Sequence, residues 1–87
     1  MRELFLFADR IDATEECVRL DSHLSQFEHI LTLQKEMQGR ELDFLAQEMH
    51  RELTTMNAKT QDIDAIREIL LMKGEVEKIR QQIHNIE

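Results

Sequence analysis

Glu48 and Glu52 stand four residues apart, and their spacing could do chemistry. On an α-helix, positions i and i+4 lie one above the other on one face. Two adjacent carboxylates repel, so one pKa rises unless a cation sits between them. A divalent metal is one such cation, because hard carboxylate oxygens suit ions of this kind, and His23 is a candidate third ligand. Arg51 and Lys59 are the other answer. They lie in or beside the sector that holds Glu48, Glu52 and Thr55, and either could neutralise the pair without a metal. Two more faces carry charge at helical spacing: Glu16, Arg19 and His23 on one, Lys73, Glu77, Arg80 and His84 on the other. The four histidines match neither HExxH nor a Cys/His zinc spacing. Cys17 falls on an apolar seam and reads as a small core residue. Phe27 and Phe44 could stack bases, although Phe at helical spacing suits a core equally well. From these residues alone, a helical hairpin that associates is the stronger reading.

The elements that must position these groups are helices. The 87 residues include no Pro and two Gly, which argues against all-β folds that need turn residues every ~8–12 positions. From Ala13 the apolar residues Ala13, Cys17, Leu20, Leu24, Phe27 and Leu31 follow at spacings of 4, 3, 4, 3 and 4, a heptad seam. This predicts a helix over 13–37, ~35–40 Å long at ~1.5 Å per residue. Asp12-Ala13-Thr14-Glu15 reads as a capping box with Asp12 as the cap, and so as a restart after a helix over 2–10. Gly39 is the best break, since Gly suits the left-handed position just past a helix end. Leu42, Leu45, Met49, Leu53 and Met56 predict a helix over 40–57. Ile63, Ile66, Ile69, Met72, Val76, Ile79, Ile83 and Ile86 predict one over 62–86, with Thr60 or Asp62 as its cap. The expected fold is all-α: a long antiparallel hairpin of the two long seams with its tip near Gly39, an additional helix packed on or extending from it, and self-association into a bundle. Residues 1–87 form one helical domain. Small domains rarely supply more than ~3–5 kcal/mol from one core, which favours self-association.

Composition excludes other classes. A lone Cys cannot form an internal disulfide and suits a reducing compartment. No apolar run approaches the ~18 residues of a membrane span. Leu4-Phe5-Leu6-Phe7-Ala8 is too short for a signal-peptide apolar region. A soluble, cytoplasmic protein is expected, with no membrane partner. The net charge of −7 argues against a free-standing nucleic-acid binder, because phosphate contacts need a basic surface.

Three stretches carry a more specific signal. They are the segment Glu16-x-x-Arg19-Leu20-x-Ser22-His23-Leu24-x-Gln26-Phe27, then GRELDFLAQEMHREL from Gly39, then KGEVEKIRQQIHNIE from Lys73. In this order and spacing they resemble the carboxy-terminal region of the YicC-like family of bacterial proteins. The resemblance covers nearly the whole chain. It departs at Glu41, where relatives usually carry a basic residue, and at His50, where they carry Asn. It implies that this chain is the carboxy-terminal part of a longer, metal-dependent endoribonuclease that assembles as a hexamer and binds single-stranded or structured RNA. The 87 residues alone are expected to be inactive. Placed onto this sequence, the resemblance implies Glu48, Glu52 and His23 as catalytic and metal-binding groups, with Mn²⁺ or Mg²⁺ as the ion. Arg19, Arg51, Lys59 and Arg80 would contact RNA. The alternative is an assembly module, with the chemistry elsewhere in the parent.

Overall fold

The computed structural model of the chain describes residues 6, 12–33 and 38–86. Three helices account for nearly all of them: α1 (Thr14–Leu33), α2 (Gly39–Lys59) and α3 (Ile63–Ile86). No strand occurs among the described residues. The helix expected over 2–10 and the end of the one expected over 13–37 lie outside them, Leu6 and 13–33 apart.

Each helix start has a different local cause. Before α1, Asp12 takes a left-handed φ of 56°, a conformation that Asp tolerates better than most residues. The amide of Cys17 bonds the carbonyl of Ala13 at 3.0 Å, so Ala13 closes the first turn and Asp12 redirects the chain. The helix start falls where expected, with Ala13 instead of Asp12 at the cap position. At α2, Gly39 is the first helical residue and has no positive φ. The break falls where expected, yet Gly39 opens a helix instead of closing one. The amide of Leu42 bonds the carbonyl of Gln38 at 3.0 Å, and Gln38 offers no side-chain cap. At α3 the cap is Asp62. Its Oδ1 accepts from the amides of Asp64 at 2.9 Å and Ala65 at 3.1 Å, the geometry of an Asp N-cap. Thr60 leaves the helical region at φ −117°, ψ 149°, so α2 and α3 are separate helices.

The all-α bundle stands, with one change of arrangement. α1 and α3 pack chiefly on α2, one on each side. Ion pairs give the directions: Glu16 meets Lys59 and Arg19 meets Glu52 across α1 and α2, while Asp43 meets Arg80 and His84 across α2 and α3. Both pairs are antiparallel, and the helix expected as an addition is the centre. Its sequence allows this. Leu42, Leu45, Ala46, Met49, Leu53 and Met56 are all buried, a wider apolar sector than one seam needs.

The core joins these residues to Cys17, Leu20 and Phe27 of α1 and to Ala65, Ile69, Val76 and Ile83 of α3. In α3 the buried seam starts at Ala65, and Ile63 is 72% exposed beside the cap. In α1, Leu24 and Leu31 lie on the heptad seam but are 43% and 50% exposed. A helix with one main neighbour within the chain covers only part of a seam that a bundle of several would cover.

Candidate functional site

The polar residues of α2 fall on two opposite sides, because it packs on two helices. Asp43 and Glu52 are nine residues apart, about half a turn around the axis at ~3.6 residues per turn.

On the α1 side, the carboxylates Glu16 and Glu52 are buried, 3% and 7% exposed. A buried carboxylate persists as an anion only when paired and hydrogen-bonded, and both are. Arg19 Nε donates to Glu52 Oε2 at 2.8 Å, and Arg19 Nη1 donates to Glu15 Oε1 at 2.6 Å. Arg19 Nη2 lies 3.5 Å from Glu16 Oε2. Lys59 Nζ donates to the same Glu16 oxygen at 2.8 Å. The Lys59 hydrogen bond pulls the Glu16 carboxyl below its ordinary value, against the upward push of burial. Its partner responds in kind: the bond to Glu16 raises the Lys59 ammonium. The bond to Glu52 raises the Arg19 guanidinium. Burial, and then the Glu16 charge, push the Cys17 thiol up, which fits an inert core thiol. Glu16 Oε1 has no partner among the described residues.

On the α3 side, Asp43 is the hub. Arg80 Nε donates to Asp43 Oδ1 at 3.1 Å, Gln47 Nε2 donates to Oδ2 at 2.7 Å, and His84 Nε2 lies 3.1 Å from Oδ1. Burial pushes the Asp43 carboxyl up, but the bonds from Arg80 and Gln47 outweigh it and the carboxyl ends below its ordinary value. Arg80 also donates to Glu77 at 3.2 Å.

The structure therefore separates the expected site residues into three groups. Arg19, Glu52 and Lys59 come together, joined through Glu16, which spacing alone did not single out as a site residue. Its signal was present, however: a glutamate beside the seam residue Cys17 and three before an arginine. Arg80 lies across the molecule with Asp43. Glu48, Arg51 and His23 remain. Glu48 and Arg51 approach only to 3.9 Å, with side chains 27% and 75% exposed. The Arg19–Glu52 register puts His23, one turn further along α1, level with Glu48, one turn back on α2. His23 Nδ1 is buried and has no hydrogen-bond partner among the described residues.

These positions bear on a metal. Among the described residues, no three His, Cys, Asp or Glu side chains are placed to hold one. Arg19 closes Glu52 with a charge-assisted bond, so Glu48 and Glu52 do not form an open pair.

Comparison with known proteins agrees with the resemblance. The family model described as "Endoribonuclease YicC-like, C-terminal" matches residues 1–87. A probable endoribonuclease YicC of Clostridioides difficile (strain 630) is 42% identical over 86 residues, covering 99% of this chain and 29% of that protein. One from Haemophilus influenzae (strain ATCC 51907 / DSM 11121 / KW20 / Rd) is 37% identical over 86 residues, covering 99% of this chain and 30% of the relative. The chain thus spans less than a third of the length of these curated relatives. No solved structure matches it significantly.

Proposed function

This chain belongs to the YicC-like endoribonuclease family, as its carboxy-terminal domain, and on that premise we propose that the full-length protein cleaves RNA internally. The observation that carries this reading is the family match over residues 1–87. In the reading, the domain contributes RNA contacts and assembly surfaces to a centre that the rest of the protein completes. Arg51 is the most open of the cations expected to contact RNA, 75% exposed and weakly paired. Arg19 and Lys59 present half-exposed side chains whose charge is already shared with buried carboxylates. Arg80 is 26% exposed and held by Asp43 and Glu77, which makes it the weakest candidate. A requirement for Mn²⁺ or Mg²⁺ is part of the reading for the full-length protein, whose other residues would have to complete a ligand set around Glu48. No helix among the described residues is long and apolar enough to cross a membrane, and the reading places the protein in the cytoplasm.

A second reading has its own support. The Glu16–Lys59 and Arg19–Glu52 pairs join two helices at defined levels, as a register device would. Val18, Leu24 and Leu31 on α1, with Ile63, Leu70 and Leu71 on α3, are large apolar side chains open to a partner. This supports a homo-oligomer, which the resemblance implies is a hexamer in the full-length protein, in which the domain assembles and catalysis lies elsewhere.

One experiment addresses both. The full-length protein is incubated with a labelled single-stranded RNA in Mn²⁺, Mg²⁺ or EDTA, and its mass is followed by sedimentation. Cleavage that EDTA stops and that Arg51→Ala weakens through KM supports the first reading. No cleavage by the unsubstituted protein in either metal sinks it. Intact cleavage in Glu48→Gln removes Glu48 from the site, and loss of assembly in Glu52→Gln favours the second reading.

A further inference from the structure

The face of α2 that points away from both neighbours should be polar, and one large residue breaks the pattern. At ~100° per residue, Arg40, Phe44, Arg51 and Thr55 fall within about 60° of one another. All four are exposed, and the aromatic Phe44 is 59% exposed. Phe44 borders a groove of about 370 Å³ between α1 and α2, lined also by Gln26, Ile30, Arg40, Glu41 and Leu45. That volume is within the ~300–1,000 Å³ of small-ligand clefts. Arg40, one turn before Phe44, makes no ion pair or hydrogen bond among the described residues, although carboxylates engage Arg19, Arg51 and Arg80. An open aromatic ring beside an uncommitted guanidinium is the pair that single-stranded nucleic acid uses, because every base has a face to stack and every linkage has a charge to meet.

We propose that this groove is a nucleotide subsite in which one base of single-stranded RNA stacks on Phe44. Arg40 meets the phosphate on one side of that base. Arg51, ~16 Å along the helix axis from Arg40, meets a phosphate further along the strand. Gln26 is on the far wall. Its Nε2 donates to Ser22 Oγ at 3.3 Å, which leaves its carbonyl oxygen to accept from a base edge. Glu41, on the rim, accepts from an exocyclic amine or a ribose 2′-hydroxyl. The net charge of −7 keeps affinity dependent on these local groups and on salt. The inference rests on the RNA-cleavage reading and deepens it.

The test is anisotropy of a fluorescein-labelled single-stranded oligoribonucleotide with the full-length protein in EDTA, so that binding is read without cleavage. Phe44→Ala weakens binding roughly 5- to 100-fold, the range for one lost base–aromatic stack, and Phe44→Trp restores it to within about twofold. Arg40→Ala weakens binding and lowers the slope of log affinity against log salt by about 0.7, one phosphate's share on a single strand. Binding by Phe44→Ala within about twofold of the parent overturns the subsite. So does loss of assembly by sedimentation with RNA affinity retained, which would make Phe44 a protein contact. If Phe44→Ala binds and cleaves normally, the subsite fails while RNA cleavage stands. If the unsubstituted protein neither binds nor cleaves, both fail.

Discussion

Replacing Glu52 with Gln tests whether this face of α2 is a clamp or an open catalytic pair. Glu52 is 7% exposed, and its Oε2 takes the Arg19 Nε bond at 2.8 Å. A hydrogen bond to a charged group contributes ~1.5–3 kcal/mol, against ~0.5–1.5 for a neutral one. Glutamine keeps the shape and one oxygen but loses the charge. Arg19 is 44% exposed and water replaces part of what it loses. The expected cost of Glu52→Gln is about 1–2 kcal/mol, which for a domain of this size lowers Tm by about 5–15 °C. Glu48→Gln is the control. Its carboxylate is more open and approaches Arg51 only to 3.9 Å, so the change stays within about 0.5 kcal/mol. Thermal unfolding of the 87-residue chain, followed by far-UV circular dichroism, reads both. Glu52→Gln made in an Arg19→Met background should lose most of its effect, because the partner has already gone. An unchanged Tm in Glu52→Gln, or an equal fall in Glu48→Gln, would rule out the Arg19–Glu52 clamp.

Three further outcomes follow from the geometry. Glu16 and Asp43 have depressed folded-state carboxyl pKa values. Each therefore adds stability that is complete above its unfolded value near 4 and is lost as pH falls through the folded value. Tm should hold from pH 7 to about 5 and fall steeply below 4, and Glu16→Gln should flatten that fall. Asp62→Ala removes the two amide bonds at the start of α3 and should cost about 1 kcal/mol, seen as a lower urea midpoint with unchanged slope. Gly74 lies inside α3, and a Cβ there meets nothing within 4 Å. Gly74→Ala should stabilise by about 0.5–1 kcal/mol, and a lower midpoint would contradict this.

Periodicity made the helices legible because it is a local property. The spacings of 3 and 4 along 13–31 and 63–83 require an apolar stripe along a helix wherever that helix ends up. The break at Gly39 was legible for a related reason, and so was a cap at Thr60 or Asp62. Breaks and caps depend on backbone chemistry within a few residues. Ile63 was misread because spacing places a residue on a sector without saying whether a neighbour reaches it. Ala65, 0% exposed, takes the seam position instead.

The sequence by itself determined the all-α class, the three described helices and the set of charged residues on each face, since a repeat of ~3.6 residues links spacing to face. The motifs around Glu16, Gly39 and Lys73 also carried the family. Only the tertiary structure decided that α2 is the centre and that Glu16 is a buried anchor. It also decided that Glu52 is closed by Arg19, that Glu48 is only weakly paired and that Phe44 stays open. The reason is that burial and pairing are set by residues distant in the chain: Lys59 is 43 positions from Glu16, and Arg19 is 33 from Glu52. No local spacing specifies contacts over that separation. They appear only when helix packing brings the two faces together.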